Sequence, residues 1–287
     1  MLKTVLAALG AALALSAGPA AAQGASPTLA RIKAAKAINV AYSPDSAPFS
    51  SVSGNAVPQG YSIELCKRAI AQIARAVGEP ELKLNWIAGS VSERVQLVAF
   101  GRAELDCANT TQTQTRLASV DFSNLIFIDG GGLLVRAGAP INRIADLAGK
   151  RVAVLKGTTT QARLTEALRA RKIDATLMPI DDAGVGLSLL EAGTVDAYAG
   201  DKVKLTALAL TSRDASRLAL VAEDLSYEPY ALALPRNDSA FRLEVNKALT
   251  QVYMGGDIEQ IYAQWLGKLG QPSGLLALMF LLNSIPE

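Results

Sequence analysis

Apolar positions along this chain recur in two alternating rhythms. Short apolar runs at 38–42, 82–87 and 105–108 read as strands, and Ile63, Cys66, Ile70, Ile73 and Val77 recur at steps of three and four. That second spacing predicts an amphipathic helix over 62–77, and a further helix is expected over 92–100. After an extended stretch at 125–136, interrupted by three glycines at 130–132, the alternation begins again: strand 151–155, helix 161–171, strand 176–180, helix 185–192, strand 195–199. Strand–helix alternation implies a mostly parallel sheet with helices on both faces, and the restart implies two α/β lobes in tandem. The unit EAGTVDAYAGDK loosely echoes the earlier FGRAELDCANTT, each leaving a helix at a glycine and entering a strand that carries an aspartate. Ligands of such sheets lie beyond the carboxyl ends of the strands, so 43–49, 89–94 and 109–116 are candidate contact segments facing a cleft between the lobes.

The first residues stand outside this rhythm. Lys3, an apolar run at 5–15 and small residues at Ala20 and Ala22 make a secretory signal peptide over 1–22, with cleavage expected after Ala22. Its apolar core is shorter than the roughly 20 residues of a membrane span. The mature protein is therefore expected to be exported, to the periplasm.

Composition then removes whole classes of chemistry. The chain has no histidine, which excludes serine–histidine–acid and cysteine–histidine catalysis and histidine-bearing zinc sites; two cysteines cannot build a cysteine-only zinc site. No cofactor is expected. The net charge of +2 falls to +1 without Lys3, and near-neutrality argues against nucleic acid as a partner. Cys66 lies on the apolar face of the 62–77 helix and Cys107 ends the strand at 105–108. In an exported chain the pair suggests a disulfide, whose loop entropy would contribute roughly 4 kcal/mol; two buried free thiols are the alternative.

Polar chemistry gathers where strands end. Asn109, Thr110 and Thr111 can present N–H and hydroxyl donors, and Arg116 can fork onto a carboxylate through two parallel charge-assisted hydrogen bonds. The bland reading of the same residues is a loop with a solvated arginine. In the second half, Gly157 and the threonines at 158–160 precede a helix, where they can cap it while its free N–H groups meet an anion. Asp201 can pair with an ammonium group or cap the segment 202–211.

The ordered segments APFS (47–50), GYSIELCKRAI (60–70), LDCANTTQTQTR (105–116), VDFSNLIF (120–127), DLAGKRVAVLKGTTT (146–160), LEAGTVDAYAGDK (190–202) and EPYALALPRND (228–238) resemble the extracellular solute-binding proteins of polar amino-acid ABC importers, above all the glutamate/aspartate-binding branch. The resemblance runs from about Ile38 to Trp265. It implies a two-lobed periplasmic-binding-protein fold of type II that closes around a free L-amino acid, with 28–131 plus 229–287 as lobe 1 and 132–228 as lobe 2. It also implies a monomer that is not an enzyme and delivers its ligand to membrane permease subunits. Carried onto this sequence, Arg116 would hold the α-carboxylate with Thr111 and the backbone around Asn109, Thr158 or Thr159 would reach it from the other lobe, and Asp201 would take the α-ammonium.

Selectivity departs from that branch. Of the basic positions expected to meet a second carboxylate, Arg94 is retained, but the places of an arginine and a histidine read Ser43 and Ala183. The aromatic and acidic positions of basic amino-acid binders read Ser46, Val91 and Ser43. Acidic or polar neutral ligands are therefore expected ahead of cationic ones. Arg94 as the ion-pair partner of Glu93 or another surface acid is the competing reading. The alternatives in function are an exported cyclohexadienyl dehydratase on the same fold and the ligand-binding component of a sensor. The apolar tail GLLALMFLLNSIPE is expected to dock on lobe 1 as a helix.

Overall fold

A computed structural model describes residues 26–52, 54 and 56–286, so the signal-peptide reading of 1–22 and the cleavage after Ala22 lie outside the described residues. In chain order the elements are α1 (Pro27–Ala35), β1 (Ala37–Tyr42), β2 (Asp45–Ser46), β3 (Ser50–Val52), β4 (Pro58–Gln59), α2 (Tyr61–Val77), β5 (Lys83–Ala88), α3 (Val91–Ala99), β6 (Leu105–Asp106), α4 (Gln114–Leu117) and β7 (Asp121–Arg136). Then follow β8 (Arg151–Leu155), α5 (Thr159–Ala170), β9 (Thr176–Ile180), α6 (Ala183–Glu191), β10 (Ala197–Asp201), α7 (Lys202–Ala209), β11 (Leu218–Leu220), β12 (Ser226–Leu234), α8 (Ser239–Met254), α9 (Asp257–Leu266) and α10 (Gly274–Leu282).

Among the described residues, nine strands join in one curled sheet ordered β5-β1-β6-β12-β7-β10-β8-β9, with β11 on β7. The sequence pattern predicts a parallel sheet in each half, and the two ends are parallel as expected: β5-β1-β6 and β10-β8-β9. The middle is antiparallel. There β7 runs its full length against β12 and then against β10, so one hydrogen-bonded sheet passes through both halves.

The three glycines at 130–132, expected to interrupt an extended stretch, lie inside continuous β7. They are there for room rather than for a turn. A Cβ on Gly132 would lie 2.7 Å from the Lys202 Cε, and one on Gly131 would overlap the Ser226 hydroxyl. Gly131 faces Ser226 on one side and Asp201 on the other, which brings β12 and the end of β10 to the same point of β7.

Burial divides the chain in the same way. One set of buried apolar side chains comes from 32–127 and 230–279, centred on α2, α8 and the face-to-edge rings of Phe49, Tyr61, Phe127 and Tyr230. A second set comes from 133–221. The turn-rich segment after β1 forms the small sheet β2-β3-β4, beyond the reach of periodicity because its strands have two or three residues each. The tail folds as α10, with Leu276 and Met279 buried against the first set and Asn283 hydrogen-bonded to the Leu125 N–H. No helix of the described residues is long and apolar enough to cross a membrane.

Cys66 on α2 and Cys107 just past β6 form a disulfide with Cα atoms 5.9 Å apart, closing a 41-residue interval, so the free-thiol alternative is set aside. Both residues are fully buried. Removing the bond frees the unfolded chain, so the Cys66→Ala/Cys107→Ala variant is expected to lose about 2–4 kcal/mol of stability. Urea denaturation reads this directly, and a midpoint equal to that of the parent would contradict it.

Candidate functional site

The ends of β1, β5, β6, β8 and β10 converge on a polar cavity of about 180 Å³. The first half contributes Ser43, Asp45, Ser46, Arg94, Asn109, Thr111 and Arg116, and the second contributes Thr158, Thr159, Asp181, Asp201 and Lys204. Residues drawn from distant parts of the chain therefore line one space, as their positions at strand ends predict.

Arg116 sits on the short helix α4, which Thr113 caps by accepting the Arg116 N–H. One guanidinium nitrogen donates to the Thr111 carbonyl at 2.7 Å, and among the described residues no carboxylate comes within ion-pairing distance. Burial lowers its pKa from the ordinary value, opposed by the charges of Asp106 and Glu228. Arginine stays protonated in proteins, so the cavity wall carries a charge with open donors. The solvated-loop reading does not describe this residue.

Asp201 ends β10 and occupies the cap position of α7, yet its side chain makes no capping bond. Its carboxylate instead accepts from Asn109 Nδ2 at 2.8 Å and Thr160 Oγ1 at 3.1 Å, one donor from each half of the chain. The capping role falls to Asp129 on β7, which accepts the Val203 N–H, the Gly130 N–H and the Tyr230 hydroxyl. Burial first, and then the nearby Asp201, push the Asp129 carboxyl up to about 7.

The threonines divide their labour differently from expectation. Thr158 accepts the Gln161 N–H and donates to the Leu155 carbonyl, which makes it the cap of α5. Thr111 and Thr159 both donate to Oε2 of Glu228, at 2.6 and 2.7 Å, while Ser226 donates to Oε1. Their single hydroxyl protons are thus engaged by a buried carboxylate on β12, rather than being directed at the cavity as expected. Thr110 is fully buried behind the wall: it donates to Asp106 at 2.6 Å and accepts from Arg94.

Arg94 pairs neither with Glu93 nor with another surface acid. Its Nε donates to Asp106 at 2.8 Å, its other nitrogens reach the Gly89 carbonyl and Thr110, and both charged side chains are almost wholly buried. Glu93 closes a capping box with Ser90 at the start of α3 instead. Arg94 therefore lines the cavity with its charge already paired to Asp106.

Asp45 changes the far end of the cavity. The Ser43 hydroxyl donates to it at 2.9 Å, and the Ala183 N–H at the start of α6 reaches it at 3.4 Å. The two positions expected to differ in selectivity are thus bridged by one of the chain's own carboxylates. Asp45, Asp106, Asp129, Lys204 and Glu228 escaped the sequence reading. A signal existed for three of them, since Asp106, Asp129 and Glu228 are acids inside otherwise apolar strands, where an acid needs partners.

The sequence signature of the bacterial extracellular solute-binding proteins, family 3, matches residues 38–268. The L-glutamate/L-aspartate-binding protein of Pseudomonas aeruginosa is 30% identical over 264 residues, covering 91% of this chain and 87% of that one. The solved structure of a solute receptor for L-cysteine of Neisseria gonorrhoeae superposes with a TM-score of 0.74 at 25% identity, covering 85% of this chain and 97% of that one. An ancestral amino acid-binding protein described as a precursor of cyclohexadienyl dehydratase has a TM-score of 0.72 at 23% identity over 84% of this chain and 99% of its own, a likeness of fold alone.

Proposed function

The chain belongs to the bacterial extracellular solute-binding proteins, family 3, and on that premise we propose that its cleft closes on a free L-amino acid and presents it to the permease of an ABC importer. One observation carries the reading: Arg116 and Asp201, opposite charges without an ion-pair partner among the described residues, line the same cavity from different halves of the chain. An amino-acid backbone presents the complementary pair. Its α-carboxylate takes the Arg116 fork and the first N–H groups of α5, and its ammonium takes Asp201.

The lobes are assigned as 28–131 plus 229–287 and 132–228, with β7 and β12 as the strands between them. A ligand held by groups on both lobes stabilises the closed form through its extra affinity for that state. The protein is read as an exported, periplasmic monomer that binds without turnover.

The test is a thermal-shift screen of the chain from Gln23 onward, refolded free of ligand, against the twenty L-amino acids. A ligand at about 100 times its Kd adds roughly 2.7 kcal/mol. A shift with one or a few amino acids supports the reading; no shift with any, or turnover of prephenate or arogenate, overturns it.

Asp129 gives the binding a pH signature. A ligand ammonium on Asp201 offsets the second cause of the raised Asp129 pKa, the neighbouring negative charge, so the Asp129 pKa falls on binding. The complex then holds fewer protons than the free protein just below pH 7, protons are released, and affinity rises with pH up to about 7. Calorimetry in two buffers of different ionisation enthalpy at pH 6.5 is expected to show this release, and the Asp129→Asn variant is expected to lose it. Proton uptake would reverse the assignment of the ammonium to Asp201.

A further inference from the structure

Lys204 stands in the first turn of α7, three residues after Asp201, and both line the cavity. It is only 8% exposed, and with Leu155, Tyr198, Leu205 and Leu208 it lines a second, smaller pocket. Among the described residues its ammonium has no ion-pair or hydrogen-bond partner, yet it lines the cavity. A buried lysine normally carries its charge out to water or to a carboxylate, because an unpaired ammonium loses hydration without compensation.

The other cations of the cavity are accounted for. Arg94 is paired with Asp106, Lys156 is paired with Asp181 at 2.9 Å, and Arg116 and Asp201 meet the two backbone charges of an amino acid under the function proposed above, on which this inference rests. Asp45 already fills the anion position between Ser43 and the start of α6. Lys204 is the cation left over, and its complement is a second anionic group on the ligand. We infer that Lys204 is the specificity-determining residue that selects a dicarboxylic L-amino acid, supplying from α7 the charge that Ser43 and Ala183 lack. A cation on this wall compensates for the neutralised Arg94 and for the acid at the opposite end.

Lys204→Met keeps the length of the stem and deletes the charge. Calorimetric titration of the parent and this variant with L-glutamate, L-aspartate, L-glutamine and L-asparagine tests the inference. The parent is expected to prefer the acids to their amides by about tenfold or more, because a site built for a charge rejects the analogue that lacks it. In the variant, affinity for the acids is expected to fall about thirtyfold or more, with the amides changed less than about threefold.

An equal loss for acids and amides would mean that Lys204 serves the shared backbone carboxylate, and would overturn the inference; so would no loss, or a parent that prefers amides. A parent that binds some other amino acid with no preference for acids overturns the inference alone. One that binds no amino acid removes the proposed function as well. Lys204→Gln carries the same expectations should the methionine variant fold poorly.

Discussion

Replacing Arg116 by alanine is expected to weaken binding of every amino acid by about a hundredfold to a thousandfold, whatever the ligand's side chain, because it leaves a desolvated carboxylate unpaired. The effect is general because the α-carboxylate is common to all of them. Stability should change little by comparison: Arg116 makes one side-chain hydrogen bond, to the Thr111 carbonyl, and forms no ion pair among the described residues. Its removal also relieves the desolvation that lowers its pKa. Titration calorimetry together with thermal melting separates the two effects. Undiminished affinity would remove Arg116 from the site, and a collapse of the melt would make it a structural residue.

Arg94 is expected to behave in the opposite way. Its guanidinium and the Asp106 carboxylate are almost wholly buried, at 3% and 0% side-chain exposure, and they are joined at 2.8 Å. Deleting one member of such a pair leaves the other charge without compensation, a loss of about 3–5 kcal/mol. Arg94→Ala should therefore shift the urea midpoint far more than Arg116→Ala does. It also frees the Gly89 carbonyl and takes one partner from Thr110.

Arg94→Met combined with Asp106→Asn should recover much of the loss, because the double variant removes both charges of the pair and Thr110 can still donate to the asparagine oxygen. A double variant no more stable than Arg94→Ala would mean that shape, rather than charge, makes the pair necessary.

These two arginines show where sequence reading reaches its limit. Both follow strand ends, both were legible as candidates, and they differ only in what lies opposite. Arg94 meets Asp106 twelve residues later, inside a short apolar strand, where no periodic pattern announces an ion pair. Asp201 is equally legible in the sequence as a ligand contact and as a helix cap. The cap is supplied by Asp129, 74 residues before the N–H it accepts, and this frees Asp201 for the cavity. The sequence offers the hydroxyls of Thr111 and Thr159 as ligand donors, since Glu228, which takes both, is 117 and 69 residues away in the chain.

What depends on neighbours within a turn or two is legible directly from the residues. The spacing of Ile63, Cys66, Ile70, Ile73 and Val77 placed α2, the alternation of strand and helix set the parallel ends of the sheet, and the absence of histidine excluded whole classes of chemistry. Strand ends also located the cavity, since side chains at those positions converge whenever parallel strands lie side by side. Folded packing settled that β7 pairs antiparallel with β12 and then with β10, that Asp45 bridges Ser43 and Ala183, and that Arg116 and Lys204 are left without a carboxylate among the described residues. The physical reason is the range of the forces involved. Periodicity records which face of an element avoids water, whereas the partner of a buried charge is fixed by the folded packing and not by distance along the chain.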